Sequence, residues 1–305
     1  MLGYILRRVA GFAPILFVMV SLSFFMMRLA PGGPFDQERA LPDQVRANIE
    51  ARYHLEEPIW RQYLRYLGDV ARGDLGPSFR YPDRSVNELL SLGFPVSVTL
   101  GLCALGVALA LGGTAGILAG LRRNAFVDYL TMSFALFGVS VPNFVLGPIL
   151  MLVFALGLRW LPVAGWGTWR HLILPSVTLG TFYAAYVARL TRAGMLEVIG
   201  QDFIRTARAK GLREATVVLR HALPGAILPV VTYLGPASAA VLTGSVVVET
   251  IFSIPGIGRY FVGSALNRDY TMVLGTVVFY SVLLLVFNLI VDVLYAYLDP
   301  RVQVQ

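Results

Sequence analysis

The chain has 305 residues, of which 56% are hydrophobic and only 14% are charged. Soluble domains are about 45–50% apolar and about 25% charged, so a chain of this composition cannot cover its whole surface with polar groups. We therefore exclude an ordinary soluble domain and expect a membrane protein. The net charge of +7 then indicates how the chain is oriented in the membrane, and we predict no binding of nucleic acid.

Six apolar runs each have the roughly 20 residues that a helix needs to cross a bilayer. They cover residues 9–29, 95–121, 127–158, 172–191, 224–250 and 272–298. The first run follows two arginines, as in a signal peptide, but it is too long for a signal core and no A-x-A cleavage site follows it. We therefore predict an all-α polytopic membrane protein with six transmembrane helices, the first of them uncleaved.

The polar segment 31–94, after the first run, carries more acidic than basic groups. Its stretch "LPDQVRANIEARYHL" places four apolar residues on one face of a helix: Leu41, Val45, Ile49 and Tyr53. We predict a small helical extracytoplasmic subdomain, and we prefer a docking surface to a solvated spacer because a spacer needs no apolar stripes. The chain then divides into 1–30 with the first span, this subdomain, and a five-helix core at 95–305.

Small residues mark two of the core runs. In the second run, Gly112, Gly116 and Gly120 share one helix face at four-residue spacing, which permits close approach of another helix. The fifth run contains "GPASAAVLTGS", which is unusually small and polar for a span. We predict tight helix packing at both places, with room for a translocation path between two such subunits.

The third run is long enough for one helix kinked at Pro142 or for two short antiparallel helices. Lysine and arginine in short loops mark the cytoplasmic side of a membrane protein. With one span here, the seven basic residues between 189 and 220 fall on the same side as five other arginines: Arg7, Arg8, Arg122, Arg123 and Arg301. Two spans would place that cluster outside, so we predict one span with a proline kink and both termini in the cytoplasm.

The basic cluster lies in a predicted cytoplasmic loop at 192–223. Its stretch "GQDFIRTARAKGL" has helical character, small residues and a glycine stop, with only Phe203, Ile204 and Leu212 as bulky apolar groups. A helix lying on lipid would present a broad apolar face, so this pattern favours a groove on another protein. Positive-inside bias explains the charge but not the pattern. After it, Pro224 suits the first turn of the fifth span.

Several chemistries are excluded by residues that the sequence lacks. The one lysine, Lys210, precedes a glycine, so no P-loop G-x-x-x-x-G-K-[ST] is present, and neither H-E-x-x-H nor G-x-S-x-G occurs. The acidic groups of the spans lie near their ends: Asp128, Glu249 and Asp292. An ion-coupled carrier would place such groups near the midplane. We predict no catalytic residue, metal site or cofactor in this chain, and a pore or a transport subunit driven from outside it.

The basic loop resembles that of bacterial ABC-importer permeases, E-A-A-x₃-G-x₉-I-x-L-P. When aligned at Gly211, the second alanine is matched by Ala207, whereas Arg205, Thr206 and His221 stand in place of Glu, Ala and Ile. The whole of "DFIRTARAKGL" is similar to the version in peptide-family permeases, where it is a coupling helix that docks on an ATPase subunit. The resemblance implies this role for Arg205, Thr206, Ala207, Arg208, Lys210, Gly211, His221, Leu223 and Pro224.

Two other stretches are similar to the same family: "LRRVAGFAPILFVMVSLSFFMMRLAPGGPF" at 6–35, and "ETIFSIPGIG" at 249–258 together with "NRDY" at 267–270. The second stretch is broken by Pro255 and two glycines and is too apolar to lie in water, so we predict that it buries against neighbouring spans. We expect Glu249 at a pore mouth, bound to Arg259 or to a docked protein. The predicted outer gate or binding-protein contact comprises Glu249, Phe252, Pro255, Gly256, Gly258 and Arg259.

The resemblance runs along essentially the whole chain and is closer to the oligopeptide B-subunit branch than to the dipeptide branch. It implies a type I ABC-importer transmembrane domain in the bacterial cytoplasmic membrane, in contact with membrane lipid and peptide substrate. It also implies a homologous second permease, two cytoplasmic ATPase subunits that hold ATP and Mg, and an extracytoplasmic peptide-binding protein. Import of dipeptides, glutathione-like peptides or nickel chelates stays open, as does a channel or scaffold that is not driven by ATP.

Overall fold

The structure is a computed structural model that describes residues 2–29, 56–81, 83–242, 245–267 and 269–298. The amphipathic stretch predicted at 41–53 lies outside these residues, so much of the predicted subdomain cannot be compared. Within the described ranges the regular elements are helices, with one isolated bridge between Pro77 and Ser85. The prediction of an all-α protein is confirmed.

Five of the described helices are long and apolar enough to cross a bilayer. We number the membrane helices in chain order: the first is Leu2–Leu29, the second Val86–Leu121, the fourth Trp169–Ile199, the fifth Leu228–Leu242 with Val246–Ile251, and the sixth Tyr270–Leu298. The third is a bent pair, Phe126–Ser140 and Asn143–Leu150, the latter continuing as the π-helix Met151–Gly157. Shorter helices cover Ile59–Ala71, Asp202–Ala209, Glu214–Thr216, Leu223–Ala226 and Ile257–Leu266, with a second π-helix at Val217–Ala222.

The third membrane helix is broken rather than kinked. Its two halves meet at an angle of 106° around Pro142, which is neither the kinked helix nor the antiparallel pair considered from the sequence. A residue before proline is driven out of the helical region, and Val141 is indeed extended, with φ −91° and ψ 115°. The chain therefore leaves one helix at Ser140 and starts another at Asn143.

Two predicted boundaries are wrong because the helices extend past the apolar runs. The second membrane helix begins at Val86 rather than at 95, and the hydroxyl of Ser85 caps it by accepting the N–H of Glu88. The fourth continues to Ile199, so Arg192 lies in a helix and not in the predicted loop at 192–223. Polar residues at a helix end weaken the apolar signal without ending the helix.

The second and fourth helices pack along most of their length, and the predicted glycine stripe is the reason. A Cβ atom added at Gly116 would lie 2.5 Å from Cβ of Thr191, and one added at Gly120 would lie 2.5 Å from Cβ of Met195. Gly112 similarly faces the backbone of Ala184. The predicted close approach at this stripe is confirmed.

We predict that Gly116→Leu destabilises the protein by about 1–3 kcal/mol, because extra methylenes forced into a packed interface displace their neighbours. Gly113→Leu is the matched control on the same helix, since a Cβ atom added there meets nothing within 4 Å. The measurement is thermal unfolding of the purified complex. Equal midpoints for the two variants would contradict the packing described here.

Candidate coupling and gating sites

The segment after the fourth membrane helix contains a short helix, Asp202–Ala209, which we name the loop helix. Gly211 follows its C-cap residue Lys210, and its φ of +76° is a left-handed conformation that glycine adopts without strain. The predicted short helix with a glycine stop is therefore present.

The loop helix is fixed to the membrane helices by a set of buried apolar residues, which we name the joint cluster. Its members are Met195, Ile204, Ala207, Val217, Val218, Ala222 and Ala226. Met195 belongs to the fourth membrane helix, and the last four residues belong to the helical stretch that leads into the fifth. The cluster thus joins three consecutive helical segments at one end of the bundle.

The two faces of the loop helix differ in burial. Ile204 and Ala207 face the joint cluster with 0% and 6% exposure, whereas Phe203 on the other face is 52% exposed. Ala207, predicted as a contact for a partner, is thus covered by this chain. Four other predicted coupling residues are exposed: Arg205, Thr206, Lys210 and Gly211.

A bidentate ion pair closes the turn after the loop helix. Arg208 donates from Nε to one carboxylate oxygen of Glu214 at 3.1 Å and from Nη2 to the other at 2.6 Å. This hydrogen bonding holds the pKa of Glu214 below its ordinary value and raises the pKa of Arg208. The pair therefore stays charged at neutral pH and holds the turn at Gly211 in place. Arg208 is thus engaged within the chain, although it was predicted to contact a partner.

The last predicted coupling residues lie on the way into the fifth membrane helix. Pro224 is exposed and occupies the first turn of Leu223–Ala226. The backbone is already helical from Glu214, so the proline does not begin this helical stretch. Proline lacks an N–H and crowds the preceding turn, and the wider π-turns at Val217–Ala222 accommodate this. His221 and Leu223 are half-buried beside the joint cluster.

Near the opposite end of the second membrane helix, Glu249 is fully buried in a polar network. Its carboxylate accepts the Ser97 hydroxyl at 2.7 Å and the backbone N–H of Gly258 at 2.9 Å. Ser97 also accepts the N–H of Ile257 at 2.9 Å. The carboxylate therefore caps the helix Ile257–Leu266 and ties it to the second membrane helix.

Among the described residues these hydrogen bonds within the chain hold the Glu249 carboxylate, and its place at a pore mouth stays a prediction. The Arg259 side chain is exposed, and Arg259 reaches the Glu249 carboxylate through its backbone N–H. A Cβ atom added at Gly256 would lie 2.5 Å from each carboxylate oxygen, and one at Gly258 would lie 2.9 Å from Oε2. Both glycines are therefore needed for the carboxylate to reach the helix end.

The predicted burial of the outer segment is confirmed. Phe252 is 2% exposed and Ile254 and Ile257 are fully buried, whereas Pro255 lies on the surface. The N–H of Gly165, in the segment after the third membrane helix, donates to the carbonyl of Phe252 at 2.8 Å. The segment is thus a packed plug between helices and not a free loop.

Two buried carboxylates have structural contacts that the sequence analysis did not predict. Asp269, before the sixth membrane helix, accepts the N–H of Met272 at 3.0 Å, the N–H of Arg80 at 3.1 Å and the hydroxyl of Ser78. The sequence did offer a signal for Asp269, because aspartate is a preferred N-cap residue and here it stands directly before an apolar run. Asp128 forms a bidentate pair with Arg192 at 2.7 and 2.8 Å, a contact between distant segments that no local pattern marks.

Comparison with known proteins agrees with this architecture. Residues 112–304 match the family described as binding-protein-dependent transport system inner membrane component. The chain is 52% identical to the oligopeptide transport system permease protein OppB of Escherichia coli K12 and 50% identical to that of Haemophilus influenzae, each over 99% of this chain and 100% of the relative. It is 45% identical to the dipeptide transport system permease protein DppB of Bacillus subtilis, over 99% of this chain and 98% of the relative.

A solved structure has the same fold. An inward-facing conformation of the MetNI methionine ABC transporter aligns with a TM-score of 0.58 at 16% identity, covering 69% of this chain and 96% of that chain. The resemblance in the loop and outer motifs is thus matched by identity along the whole sequence. The chain therefore belongs to the family of inner membrane components of binding-protein-dependent transport systems, as a multi-pass permease subunit.

Proposed function

We propose that this chain is one of two permease subunits of an ATP-driven importer of oligopeptides. The relatives with 50% and 52% identity carry the name of an oligopeptide permease, and they align over their full length. The observation that carries the proposal is the loop helix, because it presents an outward face for a partner while its inner face is fixed to two membrane helices. Dipeptides are the runner-up substrate, supported by the relative at 45% identity.

The outward face of the loop helix docks in a groove of an ATPase subunit in the cytoplasm. Phe203 and Leu212 are 52% and 40% exposed, although neither lies on an apolar run that would face lipid. Exposed aromatic groups surrounded by charge are typical of anchors at protein interfaces. Arg205 and Lys210 lie beside them and suit an acidic rim on the partner.

Motion of the ATPase subunit passes to the membrane through the joint cluster. Met195 is fully buried and is packed against Gly120, so the loop helix is linked to the second membrane helix as well as to the fourth and fifth. A packed apolar cluster is hard to compress, and a push on the loop helix therefore displaces the helix ends together.

The partners follow from the same architecture. A homologous second permease completes the translocation path, two ATPase subunits bind and hydrolyse ATP with Mg, and an extracytoplasmic binding protein delivers the peptide. The loop helix and both termini face the cytoplasm, which agrees with the excess of arginine on that side. The segment around Glu249 and Phe252 forms part of the outer gate, and the exposed Pro255 and Arg259 are available to the binding protein.

We predict that Phe203→Ala lowers peptide uptake at least about tenfold, because a hot-spot aromatic contributes about 2 kcal/mol or more to an interface. The measurement is ATP-dependent uptake by the complete transporter in proteoliposomes, together with the amount of ATPase that co-purifies with the permease.

Phe126→Ala is the matched control, since Phe126 is 78% exposed at the start of the third membrane helix but lies outside the loop helix. Membrane insertion should be unchanged in both variants. If Phe203→Ala binds the ATPase and transports like Phe126→Ala, the docking assignment is wrong. A wild-type complex that takes up no peptide on addition of ATP would support a channel or scaffold instead.

We further predict that Glu249→Ala and Phe252→Ala raise the basal ATPase activity of the complete transporter in the absence of peptide. Glu249→Ala leaves the Ser97 hydroxyl and the Gly258 N–H without an acceptor, which costs about 1–3 kcal/mol and favours opening of the gate. A change of 1.4 kcal/mol corresponds to about tenfold in the population of the open state.

Glu88→Ala is the matched control, because Glu88 lies on the same helix as Ser97 but its carboxylate pairs with Arg84 at the surface. Basal activity equal to wild type in both gate variants, with unchanged stimulation by the loaded binding protein, would show that the segment is only structural.

A further inference from the structure

A groove of about 650 Å³ lies between the first and sixth membrane helices, close to the N-terminus of the first. Arg7 and Arg8 line one end of it, with Asp292 from the sixth helix. The remainder of its wall is mostly apolar and includes Ile15 and Leu284. One end of the groove is thus charged and the other suits hydrocarbon.

The charges at this end are not balanced. Arg8 is paired with Asp292 at 3.1 Å, and Asp292 is the one carboxylate among the described residues that line the groove. Arg7 is exposed and forms no ion pair with the described residues. Among the residues that the structure describes, Arg7 therefore adds a positive charge that no carboxylate of the groove pairs with, near the start of the first membrane helix.

One residue that lines the apolar end, Gly11, adds no side chain to it. A Cβ atom added at Gly11 would meet nothing within 4 Å, so the first helix leaves open space against the sixth at this point. Ile15 and Leu284 are 48% and 46% exposed, which makes this wall accessible from the bilayer. Basic pockets between transmembrane helices are typical binding sites for acidic lipid headgroups.

We propose that this groove binds one anionic phospholipid. The phosphate accepts hydrogen bonds from Arg7, and an acyl chain lies over Gly11 and along Ile15 and Leu284. A zwitterionic lipid is disfavoured because its ammonium group adds a positive charge close to Arg7, and Asp292 is already paired with Arg8. The lipid fills the space between the first helix and the core and so supports the packing of the first helix.

The test is native mass spectrometry of the purified complete transporter, titrated with phosphatidylglycerol or with phosphatidylcholine. Phosphatidylglycerol is expected to bind more tightly than phosphatidylcholine. Arg7→Gln should weaken phosphatidylglycerol binding about fivefold, the value of one arginine at a membrane surface, and remove the preference over phosphatidylcholine. Gly11→Phe should weaken both lipids, because it fills the apolar part without changing charge.

Two controls separate this groove from general lipid binding. Arg122→Gln removes an exposed arginine at the end of the second membrane helix, and Gly106→Phe adds a ring where a Cβ atom also meets nothing within 4 Å. Neither should alter the affinity for phosphatidylglycerol. Equal affinities for the two lipids in the wild type, or effects of Arg7→Gln and Gly11→Phe no larger than those of the controls, would overturn the proposal.

Discussion

The joint cluster around Met195 is the contact on which the proposed mechanism depends. Met195 is fully buried at the inner end of the fourth membrane helix, where the loop helix and the approach to the fifth helix both reach it. Gly120 and Gly194 allow this convergence, because each brings one backbone close to a neighbouring helix. The loop helix consequently cannot move without moving the helix ends that it touches. A partner that binds the exposed face of the loop helix can therefore move these helix ends.

The opposite end of the bundle is held differently, by buried carboxylates at helix starts. Glu249 caps the helix that begins at Ile257, and Asp269 caps the sixth membrane helix while also binding the segment around Ser78. Hydrogen bonds of this kind are directional, and inside a protein they strengthen one another. Under the proposed function, the packed joint cluster would transmit motion of the ATPase subunit, and the buried carboxylates would hold the proposed gate closed until that motion occurs.

Local sequence patterns predicted the elements better than their connections. The stripe at Gly116 and the stop at Gly211 were predictable, because spacing and backbone freedom are local properties. The 106° break at Pro142 was not, since proline dictates that a helix ends there but leaves the new direction to packing. The inward orientation of Ala207 and the pairing of Asp128 with Arg192 depend on helices distant in sequence, which periodicity alone does not bring together.

The central claim is that the loop helix and the fourth membrane helix move as one body. The direct measurement is the distance between spin labels at Glu197→Cys and Arg205→Cys, both exposed, in a complete transporter in which Cys103 is replaced by serine. The account predicts the same distance without nucleotide and in the ATP-bound state, while labels across the two permeases move apart or together. A nucleotide-dependent change between these two positions as large as one helical turn, about 5.4 Å, would contradict it.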